Sequence, residues 1–195
     1  RNILIHVQLS GKLSDFIYSM ETTNTDFHAH QFKPVLKILN NPSNSILIAD
    51  EVGLGKTIEA GLIWTELKAR FSSKNLIVLC PFNLRKKWRD ELFNKFGIDA
   101  KIANAEELLE AIHNRSSRPK GYSFICGIQS IRPDKGWDLP EHETKRKKQR
   151  DLALELEDLG LSDNKIFDLL IVDEAHHLRN PSTQLNNVGK LFRNV

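Results

Sequence analysis

The sequence predicts an α/β fold with a mainly parallel sheet carrying helices on both faces. Three observations predict it. Short apolar runs recur along the chain at Ile46–Ala49, Leu76–Cys80, Phe124–Cys126 and Leu169–Val172. Such near-continuous runs suit strands buried on both faces. Helical patterns lie between them, at Thr57–Phe71, Leu84–Phe96 and Ala105–His113. The alternation of strand and helix is the signature of parallel pairing through crossover helices.

The size and composition allow such a domain. The chain has 195 residues, enough for one large core, and 40% hydrophobic with 27% charged residues is ordinary for a globular fold. A formal net charge of +3 permits a nucleic-acid partner without demanding one. Cys80 and Cys126 both fall inside apolar runs and read as buried reduced thiols, too few for a zinc cage. No run approaches the roughly 18–20 apolar residues of a membrane span, so no membrane role is expected. No signal peptide is visible, and the expected location is the bacterial cytoplasm or nucleoid. The chain begins at Arg1 rather than Met and reads as part of a longer protein.

In chain order, residues 1–26 form a lead-in segment, with alternation over Ile3–Leu9 and a turn near Gly11. The main domain is expected over 27–195. Val35, Leu36, Ile38 and Leu39 give a short amphipathic helix, with Pro34 in its first turn. The stretch 133–165 breaks the strand–helix rhythm. It carries Glu141, Glu143, Lys145, Arg146, Lys147, Lys148 and Arg150, then Leu152, Leu154, Leu156 and Leu159. It reads as a charged insertion ending in a helix, either a solvated hairpin or a basic patch for nucleic acid.

The chemistry concentrates in two segments. In the first, the run Ile46–Ala49 leads into Asp50-Glu51-Val52-Gly53-Leu54-Gly55-Lys56-Thr57 and then a helix. Glycines at 53 and 55 let the backbone turn sharply and present its N–H groups to phosphate. Lys56 places an ammonium beside the β- and γ-phosphates, and Thr57 offers a hydroxyl to Mg2+. The general phosphate-loop pattern has glycine where this chain has Asp50. In the second, the apolar run Leu169–Val172 delivers Asp173 and Glu174 at its C-terminal end, where parallel sheets bind ligands. Asp173 is the candidate Mg2+ carboxylate, and Glu174 the candidate base for the attacking water. The two segments stand in the right order, and each supplies the half of ATP chemistry that the other lacks.

The wording of these segments is more specific than the general patterns. Asp50-Glu51-Val52-Gly53-Leu54-Gly55-Lys56-Thr57-Ile58-Glu59-Ala60-Gly61 resembles the first motif of the Swi/Snf-like ATPases of helicase superfamily two, in which Asp is usual at the position of Asp50. Asp173-Glu174-Ala175-His176 resembles their DEAH-type second motif. The chain is similar above all to the bacterial ATPases associated with RNA polymerase. The resemblance covers roughly 27–132 and 166–195, and it implies a RecA-like P-loop NTPase lobe. It makes Gln31 the reader of the adenine edge and His176 the link between nucleotide site and motor. Pro81, Leu84, Trp88 and Glu91 resemble the motif that follows the second strand near the nucleic-acid track. Lys86, Lys87 and Ser130 are added as candidate nucleic-acid contacts.

The resemblance further implies ATP and Mg2+ as cofactors, and double-stranded DNA as partner with RNA polymerase or another DNA-bound protein. It also implies a second RecA-like lobe in the full-length chain. That lobe would carry arginine fingers, worth about 10³- to 10⁵-fold in related phosphoryl transfer, so the first lobe alone is expected to be nearly inactive. Three other functions compete. Asn164-Lys165-Ile166-Phe167-Asp168 is one residue too long for a guanine-reading segment. An inactive scaffold conflicts with the presence of Lys56, Thr57, Asp173 and Glu174. A subunit of a defence or restriction system carrying the same motor stays open. His28, His30, His176 and His177 are not read as a metal cluster.

Overall fold

The computed structural model describes residues 28–40, 45–49, 55–139, 145–161, 165–178 and 184–193. The lead-in 1–26, the loop residues Asp50, Glu51, Val52, Gly53 and Leu54, and part of the insertion lie outside them. The chain divides into two compact units. One holds the described residues up to Ser73 together with Asp90–Ile98, and the other holds Lys74–Arg89 and the described residues from Asp99 onward.

In the first unit, a 3-10 turn at Ala29–Phe32 runs into helix α1 (Lys33–Leu39), with Pro34 in its first turn. Proline is tolerated there because its missing N–H would have no partner in the helix. Helix α2 (Lys56–Phe71) starts directly at Gly55. Its first bonds run from the N–H groups of Ile58 and Glu59 to the Gly55 carbonyl, at 2.7 and 3.0 Å. Residues 59–64 of α2 are buried without interruption, the carboxylate of Glu59 included, so this stretch of the helix is enclosed around most of its circumference. Gly61 makes that packing possible: a Cβ there would lie 2.2 Å from the ring of Phe96.

The second unit is built on a four-stranded sheet, β1 (Asn75–Cys80), β2 (Lys101–Ala103), β3 (Tyr122–Gly127) and β4 (Leu169–Val172), in the order β2-β3-β1-β4. Every pairing is parallel. Helix α3 (Arg85–Phe96) follows β1 through a 3-10 turn at Phe82–Leu84 and begins in this unit. Helix α4 (Ala105–His113) starts with a reciprocal cap. Asn104 Oδ1 accepts from the Glu107 N–H, and Glu107 Oε2 accepts from the Asn104 N–H, both at 3.0 Å. Helices α5 (Ile128–Ile131), α6 (Lys147–Leu161) and α7 (Gln184–Arg193) complete the unit.

The core joins Ile77 and Leu79 of β1 and Phe124 and Cys126 of β3 to Leu108 and Ile112 of α4, Leu152 and Leu156 of α6, and Val188 and Phe192 of α7. On the opposite face of the same strands, Leu76, Val78, Cys80 and Ile125 are equally inaccessible to water. Both faces of β1 and β3 are therefore buried, as their unbroken apolar runs predict. Burial holds both thiols back from ionising: Cys80 and Cys126 are each pushed up to about 12.

Two expectations are corrected. Residues 45–49 form no strand, and Leu47 is 79% exposed. An apolar run becomes a strand only when a neighbour accepts and donates its ladder bonds, which composition cannot specify. β4 has one paired neighbour among the described strands, and all four of its residues are half-buried rather than buried. The insertion differs as well. Its helix α6 is no solvated hairpin, because Leu152, Ala153, Leu156 and Leu159 enter the core.

The basic residues at the start of α6 are largely occupied with the backbone of the preceding segment. Arg146 Nη1 donates to the carbonyls of Gln129 (3.1 Å) and Arg132 (3.2 Å). Gln149 donates to Ser130 O at 3.2 Å. Arg150 donates to Trp137 O at 2.9 Å and Leu139 O at 3.0 Å. Lys148 pairs with Glu106 at 3.0 Å. The part of this basic run that turns toward its own chain is therefore a set of staples. Arg150→Ala is expected to destabilise the protein by about 1.5–3 kcal/mol in a urea titration, since charged donors leave two carbonyls unsatisfied. It should leave the salt dependence of DNA binding unchanged, and a reduced salt slope would instead make Arg150 a phosphate contact.

Candidate functional site

The phosphate-loop half of the site is seen from Gly55 onward. Gly55 has φ +94, a left-handed conformation that glycine adopts without steric cost. A Cβ at this position would meet Gln31 Nε2 at 2.7 Å. Gln31 itself is 3% exposed. The structure thus brings Gln31, the candidate adenine reader, against the last glycine of the loop. Lys56 and Thr57 occupy the first turn of the 16-residue helix α2, half-buried, where the helix dipole is positive.

The acidic half sits at the C-terminal end of β4. The Asp173 N–H donates to Leu79 O at 2.8 Å, which continues the β1–β4 ladder by one residue. Both carboxylate oxygens of Asp173 are engaged. Oδ1 accepts the Glu174 N–H at 2.9 Å, and Oδ2 accepts the indole N–H of Trp88 at 2.8 Å. Glu174 is held at φ +54, where a side chain other than glycine is rare and strained. Strain of this kind persists only where the surroundings enforce it, and it concentrates at functional sites. Glu174 Oε2 lies 3.1 Å from His176 Nδ1, and both side chains are substantially exposed.

This donor set suits Mg2+, which takes oxygen ligands and leaves most positions to water and phosphate. Each Asp173 oxygen carries one of these hydrogen bonds and keeps acceptor capacity for a metal-bound water. Among the described residues, no group of three or more His, Cys, Asp or Glu could hold a metal by itself.

Asp168, five residues before Asp173, does something different. Its Oδ2 accepts the N–H groups of Lys74 and Asn75, both at 2.7 Å, and so anchors the opposite end of β1 and β4. It is a structural clamp, which removes the residual support for a guanine-reading role.

The nucleic-acid candidates lie on the segment after β1 and at α5. Lys86 and Lys87 are exposed, while Pro81 and Leu84 are half-buried. The Ser130 hydroxyl donates to Gly127 O at 2.7 Å, so its proton is committed within the chain. Sequence reasoning overlooked Phe82 and Arg85. Phe82 is 61% exposed, and the Arg85 guanidinium lies 3.6 Å from its ring centroid while donating to the Phe82 carbonyl. An aromatic residue three positions before an arginine on a helical turn was the available signal.

Residues 21–195 match the family described as Type III restriction enzyme, res subunit. The chain belongs to that family. The family places it in helicase superfamily two and gives it the α/β P-loop fold of that superfamily's ATPase lobe, in agreement with the all-parallel sheet and the expected fold class. Among its relatives is the "Uncharacterized ATP-dependent helicase YqhH" of Bacillus subtilis, 31% identical over 155 residues, which is 80% of this chain and 22% of that protein. Another is the RNA polymerase-associated protein RapA of Vibrio cholerae, 29% identical over 150 residues, 76% of this chain and 13% of that protein. These relatives bear out the resemblance to Swi/Snf-like ATPases. The chain spans less than a quarter of either relative's length.

Proposed function

We propose that this chain is the ATP-binding lobe of a DNA-dependent ATPase that uses hydrolysis to move along duplex DNA or remodel proteins bound to it. The observation that carries the reading is the carboxylate pair at the end of β4. Asp173 is oriented through both of its oxygens, and Glu174 is held in a strained backbone conformation directly after it.

Each residue then has a defined task. The N–H groups at the start of α2 and the Lys56 ammonium bind the phosphates, with Gly55 and the loop 50–54 shaping the backbone around them. Thr57 and Asp173 hold Mg2+, which when bound neutralises charge on the phosphate oxygens. Glu174 accepts a proton from the attacking water, and His176, beside it, couples this step to the rest of the motor. Gln31 reads the adenine. Pro81, Leu84, Lys86 and Lys87 line the nucleic-acid track, where the two lysines contact its backbone and fix position rather than sequence, while Ser130 keeps its proton on Gly127 O.

The RapA relative's name supports RNA polymerase, or another DNA-bound protein, as partner. A second RecA-like lobe of the full-length chain completes the catalytic machinery. The bacterial cytoplasm is the compartment this implies. No helix among the described residues is long and apolar enough to cross a membrane.

The test is ATP hydrolysis by the full-length protein with and without duplex DNA, across a salt series. DNA-stimulated turnover that falls steeply with salt is expected, because the affinity comes from phosphate contacts. Turnover indifferent to DNA would remove the motor reading. The family description favours one second reading, a motor serving a restriction enzyme. Under it, the same protein would also cut DNA.

A further inference from the structure

We infer that Trp88 is a positioning residue for the metal-binding carboxylate, and that it ties Asp173 to the helix that bears the candidate phosphate-contacting lysines. The inference rests on the metal role proposed for Asp173.

Trp88 lies in the first turn of α3, 4% exposed, and its indole N–H donates to Asp173 Oδ2 at 2.8 Å. A buried indole N–H requires an acceptor, and a carboxylate is a stronger one than a neutral carbonyl. The other two anchors of Asp173 are backbone groups close to its own strand end: Leu79 O holds its N–H, and the Glu174 N–H holds Oδ1. Trp88 is the one side chain among these three anchors, and the one that lies on a helix. Without it, the carboxylate keeps one hydrogen bond and can rotate about its terminal torsion, which is broad and soft.

The neighbours of Trp88 give the contact its significance. Lys86 and Lys87 immediately precede it and are exposed, while the indole points inward. A shift of this turn on binding a phosphate backbone is transmitted by a rigid, buried ring to Asp173 Oδ2. The sequence places Trp88 in the motif that follows the second strand, but tryptophan at that spacing does not disclose where its N–H goes.

The experiment uses the full-length protein with a non-hydrolysable ATP analogue and Mn2+ in place of Mg2+, with metal affinity read by electron paramagnetic resonance. Trp88→Phe keeps an aromatic ring and removes the donor. Benzothienylalanine incorporated at position 88 keeps the shape of tryptophan and also lacks the N–H, so a folding defect in the first variant does not decide the matter. Both are expected to weaken Mn2+ binding about tenfold, the scale on which partners of metal ligands act. Asp173→Asn serves as the reference. If Asp173→Asn weakens Mn2+ binding and the isosteric Trp88 replacement does not, the positioning role is overturned and Trp88 is a packing residue. If Asp173→Asn itself leaves Mn2+ binding unchanged, the assignment of Asp173 to the metal fails, and this inference fails with it.

Discussion

Glu174→Gln in the full-length protein is expected to lower DNA-stimulated ATP turnover by about 10²- to 10⁴-fold while ATP still binds. Glutamine has the shape of glutamate and can hold a water, but its amide cannot take the water's proton. The backbone at φ +54 is equally costly for either residue, so the substitution changes chemistry without changing the local strain. The proximity of His176 Nδ1, at 3.1 Å, also survives as a contact with a polar oxygen. The measurement is kcat from a coupled phosphate assay, beside the affinity for a fluorescent ATP analogue. A fall in kcat with preserved affinity identifies an interaction made in the transition state. Turnover within tenfold of the wild type would show that another group activates the water.

Gly55→Ala should disable the other half of the site by a different route. At φ +94 any L-side chain is strained, at a cost of about 1–3 kcal/mol. The added Cβ would also lie 2.7 Å from the amide nitrogen of the buried Gln31, whose side-chain end must then swing aside. Moving either residue would turn the start of α2 away from the phosphates or displace Gln31, the proposed adenine reader. The expected result in the full-length protein is a loss of ATP affinity of about tenfold or more, measured by titration calorimetry, with a lower midpoint in urea. The double variant Gly55→Ala with Gln31→Ala separates the two causes. It relieves the collision but leaves the backbone strain, so it should remain unstable relative to Gln31→Ala alone. Wild-type ATP affinity in Gly55→Ala would mean that the loop does not bind phosphate in this conformation.

Both halves of the candidate site stand out in the sequence. Lys56, Thr57, Asp173 and Glu174 could be read because each follows an apolar run at a fixed spacing, and phosphate chemistry requires those residue types there. The strand β4 was found to the residue, and so was helix α4, whose Asn104–Glu107 cap came only with the structure. The short strand β2 and the helix α7 were not, because three residues carry too little periodicity and the end of the chain was read only for its motif.

What the sequence by itself determined is the class of fold, the order of its main elements and the residue types able to do ATP chemistry. These depend on local periodicity and on motif spacing, which are written along the chain. Only the tertiary structure decided that Trp88 is bonded to Asp173, 85 residues away, and that Asp168 clamps the start of β1. It likewise decided that Arg146 and Arg150 staple carbonyls of the preceding segment, and that the apolar residues 45–49 form no strand. A hydrogen bond has two ends, and a side chain's type gives only one of them. The partner is fixed by which elements the packed core brings within about 3 Å.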